Sequence, residues 1–276
     1  MLCFIIPIKS KIVSKDWIRD CNIFEEALFS ACNQIDPDIR IIVICHEKPL
    51  LSRACDKRVE FISVDFSPPE RSAYFTHGEV GMEDKDRKLV VGFLRARQLN
   101  PDFIMILDAD DLVSRRLSQY VHAHKYSNGW IIKRSYRYYY GTRWLFITEN
   151  FNRVCGTCAI VNARIVKYFQ DIERDKDKFV LCGSHMKFES GLAEQGTPLE
   201  VLPFPGVIYV LGHGGNWIQN ITYLHGYDVR KYRDKPFSSI KIMTHHMLAL
   251  WDKLLSRRIL TQRIREEFSM THRTST

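Results

Sequence analysis

The sequence predicts an α/β protein with a mixed, mainly parallel sheet and helices on both faces. Three observations carry this. Continuous apolar runs recur up to Leu107, helical patterns separate them, and Pro, Asn or acidic residues close them. Strands buried on both faces need helical crossovers, which are right-handed and leave the binding edge at the carboxyl ends of the strands.

The elements follow in order. Residues 2–8 are an unbroken apolar strand, ended by Lys9, and residues 22–33 have helical spacing in Ile23, Ala27, Leu28 and Ala31. Residues 40–45 (RIIVIC) and 59–64 (VEFISV) are the next strands. Residues 85–99 form a helix with Leu89, Val90, Phe93, Leu94 and Ala96 on one face, and Asn100-Pro101 stops it. The strand at 103–107 follows. Beyond it the pattern changes to a short helix at 114–124 and two antiparallel strands, 130–140 and 144–148, turned at Gly141. Helices are expected at 162–171 and 187–195, with an extended run at 199–210 carrying Pro203 and Pro205. Residues 238–268 read as one long amphipathic helix, and 269–276 as a disordered tail.

Length and composition bound the function. A chain of 276 residues with 45% hydrophobic and 12% aromatic content can bury one sizeable core plus a small appendage. Forty Lys and Arg against 32 Asp and Glu give a formal charge of +8, which favours an anionic partner. No nucleic-acid-binding motif accompanies that charge, so nucleic acid is not expected. No apolar run approaches the roughly 20 residues of a membrane span. The start, MLCFIIPIKSK, lacks a positive segment before its apolar part and a small-residue cleavage site, so it reads as a strand. The eight cysteines lie mostly within apolar segments and read as reduced thiols. Cys155-Gly-Thr-Cys158 has CxxC spacing, but no second pair completes a zinc site.

The densest chemistry is at residues 103–111, where five apolar residues run into Asp108-Ala109-Asp110-Asp111. Carboxylates this close raise one another's pKa unless a cation sits among them. A strand ending in such a cluster puts hard oxygen ligands at the binding edge of the sheet. A solvated turn with Asp111 or Ser114 as N-cap is the plainer alternative.

An apolar first strand ending Ile6-Pro7-Ile8, an Asp-x-Asp after the fourth strand, and a later His213-Gly-Gly-Asn segment resemble the GT-A class of nucleotide-sugar glycosyltransferases, in the style of glycosyltransferase family 2. The resemblance spans roughly residues 1–220. It implies a GT-A, Rossmann-like fold over 1–235, with a nucleotide-binding half at 1–111, an acceptor half at 112–235 and a helical segment at 236–268. The implied cofactor is Mn²⁺ or Mg²⁺, and the implied donor a nucleotide sugar, UDP-sugar favoured. Asp108 and Ala109 would meet the donor, Asp110 the ion with His213, and either Asp108 or Asp111 could serve as a further ligand. Pro7, Ile8 and Lys9 would border the nucleotide, with Glu47 and Asp65 toward base and ribose. Glu47 stands where the family more often has Asp. Of Lys85, Arg87 and Lys88 at the head of one helix, Lys88 is taken for the phosphates. His185 occupies the place of the family's catalytic Asp, with Glu189 one turn on as reserve base.

The Tyr136–Trp144 stretch (YRYYYGTRW) lies where an acceptor would bind. The resemblance implies a cytoplasmic enzyme acting on a glycan, lipid-linked or small-molecule acceptor. The C-terminal helix would touch the inner face of a membrane or a second copy of the chain. Two other readings stay open: a nucleotidyltransferase of related fold, although no glycine precedes Gly78, and a catalytically inactive binding domain.

Overall fold

The computed structural model describes residues 1–76, 78–166, 181–213, 223–224, 227–228 and 256–270. The fold is mixed α/β and Rossmann-like. The elements that matter to the site are strands β1 (Leu2–Pro7), β2 (Ile39–Cys45), β3 (Val59–Ser63), β4 (Phe103–Ile106) and β5 (Leu112–Val113), with helices α1 (Trp17–Cys32), α2 (Arg71–Thr76) and α3 (Gly78–Leu99) between them. There follow α4 (Leu117–Ala123), β6 (Gly129–Ile131), β7 (Ser135–Tyr139), β8 (Trp144–Thr148), β9 (Ala159–Asn162), α5 (Phe188–Glu194), β10 (Glu200–Val201) and β11 (Val207–Leu211). The short pair β12 (Tyr223–Leu224) and β13 (Tyr227–Asp228), β14 (Arg257–Ile259) and α6 (Gln262–Glu267) complete the described chain.

A seven-stranded sheet has the order β10-β6-β9-β4-β1-β2-β3. Its β4-β1-β2-β3 half is parallel throughout, while β9 runs antiparallel to both β4 and β6. The apolar strand runs supply the core: β1, β4 and nearly all of β2 are buried. Helix α3 lies directly on β1 and β2 at Gly92, where a Cβ would clash with Ile5 and stand 2.8 Å from Ile44 Cδ1. Helix α1 begins at Trp17, earlier than its apolar spacing indicates, because the Asp16 side chain caps it by accepting from Arg19 N.

A second, five-stranded sheet has the order β14-β8-β7-β11-β5 and encloses its own small core of Leu112, Tyr138, Leu145, Ile208, Val210, Leu260 and Phe268. It is mainly antiparallel, with β7 and β11 parallel. The runs read as single strands are split between the sheets. Residues 130–131 belong to β6 in the first and 135–139 to β7 in the second. Likewise the 199–210 run divides into β10 and β11 around its two prolines, which cannot donate to a ladder.

Three expectations are corrected. A helix from 162 is not what forms there: Ala159–Asn162 is a strand and residues 163–165 turn, while 167–171 lie outside the described residues. The long helix over 238–268 is not continuous. Residues 238–255 lie outside the described residues, but Arg257–Ile259 pairs with the edge of β8 and Gln262–Glu267 is a separate short helix capped by Thr261. An edge strand with free backbone groups competes successfully with helical spacing here. The start of the expected tail is also ordered. Ser269 is buried and accepts from Asn33 Nδ2 at 2.7 Å, and Met270 N donates to Arg265 O. Among the described residues no helix is long and apolar enough to cross a membrane.

Candidate functional site

The acidic segment is the hinge between the two sheets. Strand β4 ends in the first sheet, residues 107–111 turn, and β5 enters the second sheet beside β11 with Val113 opposite Val207. Strand β11 runs on through Leu211 and Gly212 to His213. Backbone pairing thus returns the chain to the acidic turn a hundred residues later, and His213 Nε2 lies 3.0 Å from Asp110 Oδ2. His213 is buried, and Asp110 is partly open to a cleft of about 190 Å³ at the carboxyl ends of β1 and β4. Pro7, Ile8, Lys9, Lys88, Asp108, Ala109 and Asp110 line the same cleft with His213.

Each carboxylate of the turn has a different setting. Asp108 pairs with Lys85 Nζ at 2.5 Å, and its backbone N–H donates to Thr157 Oγ1 at 3.0 Å. Asp110 faces His213. Asp111 is fully buried, and its Oδ2 accepts from Thr157 Oγ1 at 2.6 Å and from Cys155 Sγ at 2.9 Å. Its Oδ1 has no partner among the described residues. Burial first, then Asp110 and Asp108, push the Asp111 carboxyl well above the usual carboxylate range. The CxxC segment clamps the acidic turn through Cys155 and Thr157, and both of its cysteines are free thiols and buried. Gly156 between them is a close approach, since a Cβ there would stand 3.1 Å from Lys85 Nζ and 3.3 Å from Asp108 Oδ2.

Helix α3 builds the opposite wall. Lys88 is buried, with Nζ 2.8 Å from Ile8 O and 2.6 Å from Asp84 Oδ2, and Asp84 Oδ1 meets His46 Nε2 at 2.8 Å. Burial drives the Lys88 ammonium down against the pull of Asp84. Lys85, one turn earlier, resists its burial because Asp108 pulls its pKa up. Lys9 is held by Asp20 at 2.8 Å, and Tyr74 packs on Gly81 with its hydroxyl pushed up to about 12 by burial and by Asp84.

The donor set suits a divalent cation. Asp108 and Asp110 offer hard oxygens and His213 a borderline nitrogen. Within the acidic turn, the grouping whose ligand atoms all come within 4.8 Å of one another is Asp108, Asp111 and Cys155, of which Asp108 also lines the cleft. Asp111, open as a ligand on sequence grounds, uses Oδ2 on Thr157 and Cys155 and leaves Oδ1 without a partner among the described residues.

Four expected residues stand outside the cleft lining. Glu47 braces the turn after β1, accepting from Ser10 Oγ at 2.9 Å and Lys11 N at 3.0 Å. Asp65 is exposed beyond the edge strand β3. His185 is half-buried at the start of a 3-10 turn, and its Nε2 has no partner among the described residues. Burial, and then Lys85, lower its pKa and favour the neutral ring. Glu189 is tied to Lys133 at 2.7 Å and Asn152 at 3.0 Å. The structure adds Lys85, Asp84, Asp20 and Tyr74 to the cleft. The i, i+4 spacing of Asp84 and Lys88 was the available signal for one of them. Nothing in the local sequence marks Thr157. Of the His213-Gly-Gly-Asn segment, residues 214–216 lie outside the described residues.

Neither a protein-family model nor a curated protein sequence matches this chain. Among solved structures it is similar to S. aureus TarS, with 12% identity and a TM-score of 0.41 over 76% of this chain and 36% of that one. It is also similar to the bifunctional IspDF from Campylobacter jejuni, with 14% identity and a TM-score of 0.32 over 74% of this chain and 55% of that one. The chain spans less than two thirds of either protein. At these scores neither likeness assigns an activity.

Proposed function

We propose that this chain is a metal-dependent glycosyltransferase of the GT-A class, taking a sugar from a nucleotide sugar, UDP-sugar favoured. The acceptor would be a glycan, a lipid-linked sugar or a small molecule. One observation carries the reading: Asp108, Asp110 and His213, distant in sequence, meet Lys85 and Lys88 across one cleft at the carboxyl edge of the parallel strands. Asp108, Asp110 and His213 would hold Mn²⁺ or Mg²⁺, which supplies Lewis-acid neutralisation of a diphosphate leaving group. Lys85 stands on Asp108 and can turn toward a phosphate oxygen as a compact positive charge. Lys88 fixes the Ile8 carbonyl and so shapes the floor on which a nucleotide would lie. His185 is the proposed base, since its lowered pKa keeps the ring in the proton-accepting form near neutral pH. Glu189, occupied by Lys133 and Asn152, supports the α5 helix instead. The setting we propose is cytoplasmic, beside a membrane surface or a second copy of the chain.

The test is thermal stability against UDP, GDP, CMP and ATP, each with and without Mn²⁺. UDP should stabilise only when Mn²⁺ is present, by about 2.7 kcal/mol at a hundredfold excess over Kd. Asp110→Asn should remove the metal-dependent part and leave the unliganded melting temperature near that of the parent. Stabilisation by a nucleoside triphosphate alone would favour the nucleotidyltransferase reading. No response to any nucleotide would end the transferase reading.

A further inference from the structure

The second sheet has two faces of opposite character. Tyr138, Leu145, Ile208 and Val210 close on its small core. The residues that alternate with them lie on the other face by the pleat of the strands. Register places Tyr209 beside Arg137, Leu211 beside Tyr139, Phe146 between Arg137 and Arg257, and Trp144 beside Ile259. That face adjoins the acidic turn. Tyr209, on this face, packs against the main core, where its ring meets Phe151 edge to face at 6.4 Å. At the cleft end of the same row, a Cβ on Gly212 would lie 3.6 Å from Tyr139 Cδ1, one residue before His213.

The side chains here are rings and guanidinium groups. Arg257 stacks 3.2 Å from the Trp144 ring centroid, and Arg143 lies 5.2 Å from the same ring. Tyr139 and Phe146 meet edge to face at 5.7 Å. Arg137 donates to Thr148 Oγ1 at 3.0 Å, while its buried Nε has no acceptor among the described residues. None of Arg137, Arg143 and Arg257 ion-pairs with a carboxylate among the described residues, and Arg143 and Arg257 are exposed. Flat rings take the apolar face of a sugar, and guanidinium forks take carboxylate or phosphate oxygens.

We infer that this face binds the acceptor, and that the acceptor is an acidic glycan bearing carboxylate or phosphate groups. The inference rests on the proposed glycosyl transfer; the face supplies that site with its second substrate. Charge complementarity selects the occupant: the arginines have no carboxylate partner among the described residues, and the chain carries a net charge of +8.

The test uses the full chain on a glycan array carrying neutral, uronate-containing and phosphodiester-linked oligosaccharides, with UDP and Mn²⁺ stabilisation measured in parallel. Retention should be confined to acidic glycans. The double variant Arg143→Ala/Arg257→Ala should weaken it by about tenfold while the UDP–Mn²⁺ response persists. Retention on uronates alone identifies a carboxylate acceptor, and on phosphodiesters alone a phosphate one. Equal retention of neutral glycans, no retention of any glycan, or an unaffected double variant overturns the inference. A parent protein that holds acidic glycans yet ignores UDP overturns the donor assignment instead.

Discussion

Thr157 does more for the candidate site than its residue type announces. Its hydroxyl accepts from Asp108 N–H and donates to Asp111 Oδ2, joining the two ends of the acidic turn. Thr157→Val keeps the shape but leaves both groups without that partner in a buried setting. Each unmade bond costs about 1–3 kcal/mol. The melting temperature should therefore fall, and the Mn²⁺-dependent response to UDP should weaken with it. Thr157→Ser, which keeps the hydroxyl, should restore most of both. A valine variant as stable and as responsive as the parent would show that the turn holds itself.

At the scale of elements, α3 and the C-terminal segment make opposite demands on volume. Gly92 lets α3 settle onto β1 and β2, where Ile5 and Ile44 leave no room for a methyl group. Alanine is the better helix former by about 1 kcal/mol, but overpacking a tight contact costs about 1–3 kcal/mol. Gly92→Ala is thus expected to lower stability in denaturant unfolding despite its propensity gain, and a stabilised variant would contradict the packing. At the other end of the chain Phe268 is buried in the second core and meets Tyr136 edge to face at 5.9 Å. Glu267 joins Arg116 at 2.7 Å, and its carbonyl accepts from Arg115 N. Phe268→Ala should cost about 3–5 kcal/mol, the range for emptying a buried aromatic site. A loss well under that range would mean that the segment is only loosely attached.

For the molecule as a whole, one buried carboxylate gives a pH signature. Glu25 on α1 accepts from Ser52 N and Arg53 N at 2.8 Å each and from Ser52 Oγ at 2.6 Å, tying the helix to the loop after β2. Burial raises its pKa, but these bonds outweigh that and hold it below the ordinary 4.5. The folded state therefore binds fewer protons than the unfolded chain in that window. Stability from Glu25 is present above about pH 4.5 and is lost as pH falls below it through the folded pKa. Glu25→Gln should be less stable than the parent at pH 7, and the gap should narrow toward pH 3. A constant gap across that range would place the carboxylate's effect in packing alone.

Local order was legible in the sequence wherever it depends on residues close along the chain. The apolar runs of β1, β2 and β4, the proline stop after α3 and the acidic cluster at a strand end need only near neighbours, so they could be read directly. Seven of the expected site residues (Pro7, Ile8, Lys9, Lys88, Asp108, Ala109 and Asp110) line one cleft because they sit at strand ends and on one helix face, whose direction topology dictates. Partner choice was not legible. Residues 130–131 and 135–139 look like one strand and serve two sheets; residues 257–259 have helical spacing and complete the edge of β8. His213 reaches Asp110 only because β11 pairs with β5, and Glu47, an acid at a strand end like Asp108, turns away to brace Ser10 and Lys11. Sequence alone determined the strands and helices up to β4 and the chemistry at their ends. Tertiary structure decided which ends meet, because hydrogen-bonded pairing between distant segments depends on the burial of the whole molecule and not on any one stretch of it.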